Sequence, residues 1–208
     1  MLDGDGMENN QYFSKTNDNL ESKPQIITAK IGEYSFKFKT DIGVFSKDFL
    51  DYASKLLLEN MDFSISENEA ILDVGCGYGP IGIYARKITE NPVVMLDVNP
   101  RALALSSQNL NINGLEAEVI ESDCLNNVLD RKFGMVICNP PIHAGKSVVY
   151  KIFEQSYEVL NKDGTFWIVI QQKHGAPSAI KKLESIFESV EIVYKKKGFY
   201  IVKSTKTI

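Results

Sequence analysis

From residue 70 onward the chain repeats one alternation: a short apolar run, a turn, and a segment whose apolar residues recur with helical spacing. The runs at 70–74, 93–97, 117–121, 133–138 and 165–171 are strand-length, and most are apolar at successive positions, as in strands covered on both faces. The segments between them, 80–88, 101–113, 147–160 and 176–187, are long enough to be helices. Parallel strands need such crossovers, so the pattern predicts β-α-β units closing a mostly parallel sheet with helices on both faces, an α/β fold. The end of the chain departs from this rhythm. Segments 190–194 and 199–202 are separated only by Lys195-Lys196-Lys197-Gly198, too short for a helical crossover and suited to an antiparallel hairpin.

Upstream of the alternation, 25–30 and 34–40 alternate apolar with polar residues around Ile31-Gly32-Glu33, which predicts a β-hairpin. Ser46 is the expected N-cap of a helix over 47–60, with Phe49, Leu50, Ala53, Leu56 and Leu57 on its buried face. Residues 1–24 are polar, Asn-rich and without period, and read as a flexible leader. The expected organisation is therefore leader (1–24), hairpin and helix packed on the main domain (25–62), and main domain (63–208).

At 208 residues, 44% of them apolar, the chain can bury one core. No apolar run approaches the ~20 residues that a membrane-spanning helix needs, and the N-terminus lacks the apolar stretch of a signal peptide, so the expected location is cytoplasmic, with no membrane partner. Cys76, Cys124 and Cys138 include no C-x-x-C pair, and His143 and His174 are far apart in sequence, so neither a disulfide framework nor a metal site is expected. Charge is uneven: residues 161–208 carry 9 Lys+Arg against 4 Asp+Glu, although the whole chain is at -4. That lysine-rich quarter is either a phosphate-binding face or a solvated surface.

The run Ile71-Leu72-Asp73-Val74-Gly75-Cys76-Gly77-Tyr78-Gly79-Pro80-Ile81-Gly82 reads as a buried strand, a glycine loop and the start of a helix. The glycines let the chain turn tightly and let a cofactor approach the backbone, and Pro80 suits the first helical position because its missing N–H had no intrahelical partner. Gly77-x-Gly79-x-x-Gly82 also satisfies the dinucleotide-binding pattern. Asp73 weighs against a pyrophosphate there, because its charge repels phosphate but attracts the ammonium group of an amino-acid-bearing cofactor, directly or through water. Asp97 follows Gly79 by 18 residues at the end of the second strand, where its two oxygens can accept both hydroxyls of a ribose. Asp123 follows the third strand and suits an adenine amino group, with the Cys124 N–H reaching a ring nitrogen; a strand-end turn cap is an equal reading.

The fourth strand ends in Cys138-Asn139-Pro140-Pro141. Each proline fixes its own φ and biases the preceding residue toward extended geometry, so the turn is stiff. The Asn139 side-chain oxygen and the Pro140 carbonyl then form a fixed pair of acceptors for the two hydrogens of an amino group. The lone pair of a nucleobase or carboxamide amine is conjugated. Holding both hydrogens out of the conjugated plane localises that pair and stabilises the positive charge that develops as a methyl group arrives. A capped, proline-terminated strand is the plainer reading.

Taken together, DVGCGYGPIG, LDVNPRAL and CNPP in this order resemble a class I S-adenosylmethionine-dependent methyltransferase. GVFSKDFLDYASKLLLE and NPPIHAGK narrow the resemblance to the methyltransferase small domain family, similar to the RsmC-type small-subunit rRNA guanine-N2 methyltransferases, over roughly residues 32–203. The resemblance implies a Rossmann-like seven-stranded sheet with its last strand antiparallel, S-adenosylmethionine as cofactor, no metal, and ribosomal RNA or a small-subunit particle as partner. Residue by residue, it implies that Asp73, Gly75, Gly77 and Gly79 hold the methionine part of the cofactor, Asp97 its ribose and Asp123 its adenine. Cys76, Val98, Cys124 and Asn139 are the adjoining cofactor-binding positions, and Asn139, Pro140 and Pro141 receive the target amine.

Two departures qualify the match. Two-domain members carry a degenerate methyltransferase half ahead of the catalytic one, whereas here a hairpin and leader precede it. Many Asn-Pro-Pro enzymes place an aromatic residue next, whereas Ile142 follows here, leaving base stacking to His143 or Phe45 and phosphate contact to Lys146. The rival readings are a protein glutamine N5-methyltransferase, whose carboxamide presents the same two hydrogens, a nicotinamide oxidoreductase, and a non-catalytic RNA-binding or ribosome-assembly protein.

Overall fold

The structure, a computed structural model, describes residues 22–208. Most of the expected leader lies outside the described residues. An antiparallel hairpin comes first, β1 (Gln25–Ile31) and β2 (Tyr34–Thr40). Helix α1 (Tyr52–Asn60) follows, then β3 (Ile71–Val74), α2 (Pro80–Ile88), β4 (Val93–Asp97), α3 (Pro100–Ile112) and β5 (Glu118–Glu121). The chain continues with β6 (Phe133–Cys138), α4 (Lys146–Val159), β7 (Leu160–Gln171), α5 (Ala176–Glu184), β8 (Ser189–Lys196) and β9 (Phe199–Thr205).

The seven strands β3 to β9 form one sheet in the order β5-β4-β3-β6-β7-β9-β8. Strands β3 to β7 pair in parallel, and β9 lies antiparallel between β7 and β8. The chain thus has the Rossmann-like methyltransferase fold that the alternation and the resemblance implied, closed by the C-terminal hairpin. One strand begins earlier than its pattern suggested. Leu160 already pairs with Phe133, but the register shifts before Thr165 pairs with Met135, and Asp163 inside the shift has φ +62°.

Alternate residues of each central strand enter different cores. Ile71, Met95, Met135, Ile137 and Trp167 pack with α1, α2, α3 and the N-terminal hairpin. Leu72, Val94, Val136, Phe166 and Ile168 pack with α4 and α5 on the opposite face. The hairpin is fixed by amides as well as by apolar burial. Asn109 of α3 and Asn113, the C-cap one turn further on, each accept an N–H from β2 and donate to the carbonyl of the same residue, Lys39 and Lys37 respectively. They stand in for a neighbouring strand at that edge.

The expected helix over 47–60 is shorter. Ser46 has φ +54° and its hydroxyl donates to the Phe49 carbonyl, so it does not cap the helix. Asp51 does, its Oδ2 accepting from Ser54 N at 2.8 Å. Aspartate is at least as good an N-cap as serine. The Lys47 carbonyl, moreover, is taken by Thr40 Oγ1 and Gln25 Nε2 of the hairpin rather than by a helical turn. Phe49, expected to be buried, is 70% exposed.

Candidate active site

The strand order reverses at β3, whose neighbours are β4 on one side and β6 on the other, and a parallel sheet opens a crevice at the carboxyl ends of such a pair. A cavity of about 380 Å³ occupies that crevice. It is bordered by four strand-end segments, 74–78, 96–99, 122–124 and 139–144, and closed on the remaining sides by 44–54, by Gln171 at the end of β7 and His174 beyond it, and by Phe199.

In the glycine loop, Gly75, Gly77 and Gly79 have φ of +73°, +58° and +105°, a region that glycine enters without a Cβ penalty. The loop's N–H groups point inward. Those of Gly75 and Cys76 both donate to the Leu96 carbonyl at 2.8 Å, that of Gly77 to Asp97 Oδ2 at 2.8 Å and that of Gly79 to the Cys76 carbonyl at 2.9 Å. A dinucleotide site needs such donors aimed at its pyrophosphate, and here they are committed to protein acceptors. Gly75 and Gly77 border the cavity, and a Cβ built on either would meet nothing within 4 Å.

Asp73 is fully buried beneath this loop and does not line the cavity, so a direct contact with a cofactor's ammonium group is not the arrangement seen. Its Oδ2 accepts from Gly82 N at 2.8 Å, while Oδ1 has no partner among the described residues. Burial, reinforced by the nearby Asp97 charge, pushes its carboxyl up to about 8. Gly79 likewise lies behind the lining, as the N-cap of α2.

Asp97 does line the cavity, beside Val98. Its Oδ2 accepts from Gly77 N at 2.8 Å and its Oδ1 from Asn99 N at 2.9 Å, and the Val98 N–H also bonds the carboxylate. Burial raises its pKa, opposed by those backbone donors. Asp123 is exposed at the rim, bridged by its Oδ2 to Lys151 at 3.1 Å and to Asn126 at 3.3 Å. Cys124 beside it has φ +51°, and its backbone N–H has no acceptor among the described residues.

Asn139, Pro140 and Pro141 border the cavity from the end of β6. Asn139 Nδ2 donates to Asp51 Oδ2 and to Ser54 Oγ, both at 3.0 Å. The Pro140 carbonyl already accepts from Ile142 N at 2.8 Å, closing a three-residue turn, so one of its lone pairs is in use. Ile142, His143 and the 44% exposed Phe45 line the mouth. Lys146 does not: it is exposed at a separate small recess with Tyr150 and His174.

Several residues of the site carry no sequence signal of their own. His174 stands against His143, with ring centroids 6.1 Å apart, although 31 positions separate them in the chain. Tyr78 lines the cavity with a buried hydroxyl that has no partner among the described residues. Asp51 falls inside the helix expected over 47–60, where nothing in the sequence singles it out. Among the described residues no group of three potential ligands could hold a metal ion, and no helix is long and apolar enough to cross a membrane.

The basic C-terminal quarter proves to be dispersed. Lys182 pairs with Glu154 at 2.5 Å, and Lys206 Nζ donates to the Tyr157 and Leu160 carbonyls at 2.9 Å, so these two lysines hold the fold. Lys195, Lys196 and Lys197 sit instead at the turn of the β8–β9 hairpin. That turn is tied to the carboxyl end of β7 by Gln172 N donating to the Gly198 carbonyl at 2.7 Å, on the edge where the cavity opens.

A doubly wound sheet with a glycine loop, a ribose-suited acid and an Asn-Pro-Pro turn around one crevice defines a nucleoside-cofactor enzyme of the methyltransferase class. The model of the methyltransferase small domain family matches residues 35–203, and the chain belongs to that family of class I S-adenosylmethionine-dependent methyltransferases. It is 43% identical over 199 residues to the uncharacterized protein YbxB of Bacillus subtilis (strain 168), covering 94% of this chain and 98% of that one. It is 36% identical over 171 residues to ribosomal RNA small subunit methyltransferase C of Vibrio vulnificus (strain CMCP6), covering 79% of this chain and 48% of that one. Among solved structures, the T. thermophilus 16S rRNA N2 G1207 methyltransferase (RsmC) in complex with AdoMet and guanosine superposes with a TM-score of 0.79 at 24% identity. That match covers 90% of this chain and 52% of the other. The chain thus spans about half the length of these methyltransferase C relatives.

S-Adenosylmethionine is the cofactor of the family, and the residues present fit it. The open space over Gly75 and Gly77, the cavity-lining carboxylate of Asp97 and the unused Cys124 N–H offer room for an amino-acid chain, an acceptor for a ribose and a donor for a purine.

Proposed function

We propose that this methyltransferase acts on an exocyclic amine of a base in ribosomal RNA, and that its target is N2 of a small-subunit guanine. The observation that carries the reading is the state of Asn139. Its amide nitrogen is taken by Asp51 and Ser54, so Oδ1, which receives no hydrogen bond among the described residues, is the atom available to the cavity. That oxygen and the remaining lone pair of the Pro140 carbonyl are acceptors on a stiff turn, matching the two hydrogens of an NH2 group.

When bound, S-adenosylmethionine supplies an electrophilic methyl carbon on a sulfonium. Gly75, Gly77, Asp97 and the Asp123–Cys124 turn hold and orient it, and Asp73 supports the loop from below. Asn139 Oδ1 and the Pro140 carbonyl hold the amine so that its lone pair faces the crevice, and their partial negative charge stabilises the positive charge that develops on nitrogen. No residue need remove a proton first, because the product proton leaves to water.

The mouth suits a base taken out of a helix. Phe45 and the His143–His174 pair offer stacking surfaces, and the lysines of the β8–β9 turn supply sequence-independent attraction for phosphates. The ribosomal RNA small subunit methyltransferase C relatives support the RNA class of substrate, and the guanosine in the T. thermophilus structure supports the choice of base.

The test is Asn139→Ala, read by calorimetry for cofactor affinity and by tritiated-methyl transfer to small-subunit particles, free rRNA and ribosomal proteins. The expected outcome is unchanged affinity with turnover down by about 100-fold or more, and label in rRNA. Equal loss of both would sink the role of Asn139, and label in a glutamine amide would move the substrate to protein. Nucleoside mass spectrometry of rRNA from cells with and without the gene then identifies the base.

A further inference from the structure

We infer that Asp51, assisted by Ser54, is a positioning residue that fixes which way the Asn139 amide faces. The inference rests on the proposed role of Asn139 and goes beyond it. A primary amide is nearly isosteric with itself after a half-turn, so packing alone does not distinguish the acceptor orientation from the donor one. The wrong orientation would present N–H groups to the hydrogens of the target amine. A carboxylate can only accept, so whatever faces Asp51 Oδ2 at 3.0 Å must be the amide nitrogen. Ser54 Oγ, also at 3.0 Å, takes the second hydrogen, and both donors of Asn139 are then accounted for.

The same carboxylate oxygen caps helix α1 through Ser54 N at 2.8 Å, so the helix terminus and the Asn-Pro-Pro turn share one acceptor across 88 residues of sequence. Donating to a charged acceptor also polarises the amide and leaves Oδ1 a stronger acceptor than an isolated asparagine would be. The segment ahead of the alternating β-α-β region is therefore part of the catalytic apparatus and more than a cover for the crevice.

The test uses the full chain. Asparagine caps a helix as well as aspartate does, so Asp51→Asn should keep its melting temperature. It removes the acceptor-only partner, because its own amide can face Asn139 with either end. Expected are unchanged cofactor affinity by calorimetry, turnover reduced about tenfold or more, and KM for the RNA within about twofold. In an Asn139→Ala background Asp51→Asn should cause no further loss, which a merely structural role would not predict. Ser54→Ala keeps the helix and its cap and should lower turnover about threefold to tenfold, providing a reading even if Asp51→Asn fails to fold. Full turnover in Asp51→Asn beside an inactive Asn139→Ala, or equal losses in both backgrounds, overturns this inference alone. Full turnover in Asn139→Ala overturns the reading of Asn139 and this inference with it.

Discussion

The two walls of the crevice are built by different physics. One wall comes from the carboxyl ends of β3, β4 and β6, where strand pairing fixes each loop and the backbone supplies most of its own acceptors: Leu96 for Gly75 and Cys76, Cys76 for Gly79. The other wall, residues 41–51, contains no strand or helix and is held by side chains of the first wall and of the hairpin. Arg101 Nη1 donates to the Ile42 carbonyl at 2.7 Å, Asn99 Nδ2 to the Gly43 carbonyl at 3.0 Å, and Asn139 to Asp51. The first wall is set by the fold. The second takes its shape only once the first exists, and it carries Phe45 and Asp51, which face the target side.

The largest effects separate position within the first wall. Gly82 donates to Asp73, and a Cβ there would stand 2.6 Å from Met95 Cγ, which is fully buried and cannot swing away. Gly82→Ala should therefore cost about 1–3 kcal/mol of stability, read by urea unfolding. Gly77→Ala meets no neighbouring atom; its φ of +58° costs about 1–2 kcal/mol of stability, and its Cβ also enters the open side of the loop, so S-adenosylmethionine affinity should weaken about tenfold by calorimetry, or about 1.4 kcal/mol. If the two variants lose stability and affinity in the same ratio, the loop does not divide into a packed side and an open side.

The second wall can be detached from the first at Asn99. This residue is buried, caps α3 through Arg101 N at 3.0 Å, and holds the Gly43 carbonyl. Asn99→Ala loses the cap and the tether and should cost about 1–2 kcal/mol, with faster amide exchange over 42–47. Asn99→Asp keeps the cap but has no donor for Gly43, so it should loosen the same amides at a smaller cost. Unaltered exchange in both variants would mean that the wall holds itself.

The contrast also explains what was legible in the sequence. Strands and helices from 70 onward announce themselves through local period, and a parallel sheet brings its carboxyl ends to one edge whatever the loops do. Gly75, Asp97 and Asn139 could therefore be placed around one crevice from their positions after strands. The wall at 41–51 has no period, and two polar residues five positions apart compete for the cap of α1. Ser46 and Asp51 are both good N-caps, and the choice was made by Thr40 and Gln25 of the hairpin claiming the Lys47 carbonyl, which no window around residue 46 contains. The meeting of His143 with His174 and of Asp51 with Asn139 is equally non-local. Lysine count could not choose between a phosphate-binding and a solvated face for the same reason: Lys182 and Lys206 are committed to partners brought near only by folding.

The smallest expected effect tests whether the first wall is free of strain. Asp73 is the one charged-type side chain sealed beneath the glycine loop, with one oxygen bonded to Gly82 N and the other without a partner among the described residues. Burial raises its native pKa to about 8, whereas in the unfolded chain the group titrates near 3.8. Between those values the native state holds a proton that the unfolded state has released, so stability is fully present below pH 4 and falls as pH rises toward 8. One such group contributes a slope of at most about 1.4 kcal/mol per pH unit. Asp73→Asn keeps an oxygen for Gly82 N and places an uncharged NH2 where the protonated oxygen stood. Unfolding free energies from urea titrations at pH 6 and 7 should therefore converge in the variant and differ in the parent by up to that amount. Equal slopes in both would mean that Asp73 is ionised in the native state, and that the loop above it carries a buried charge throughout the working pH range.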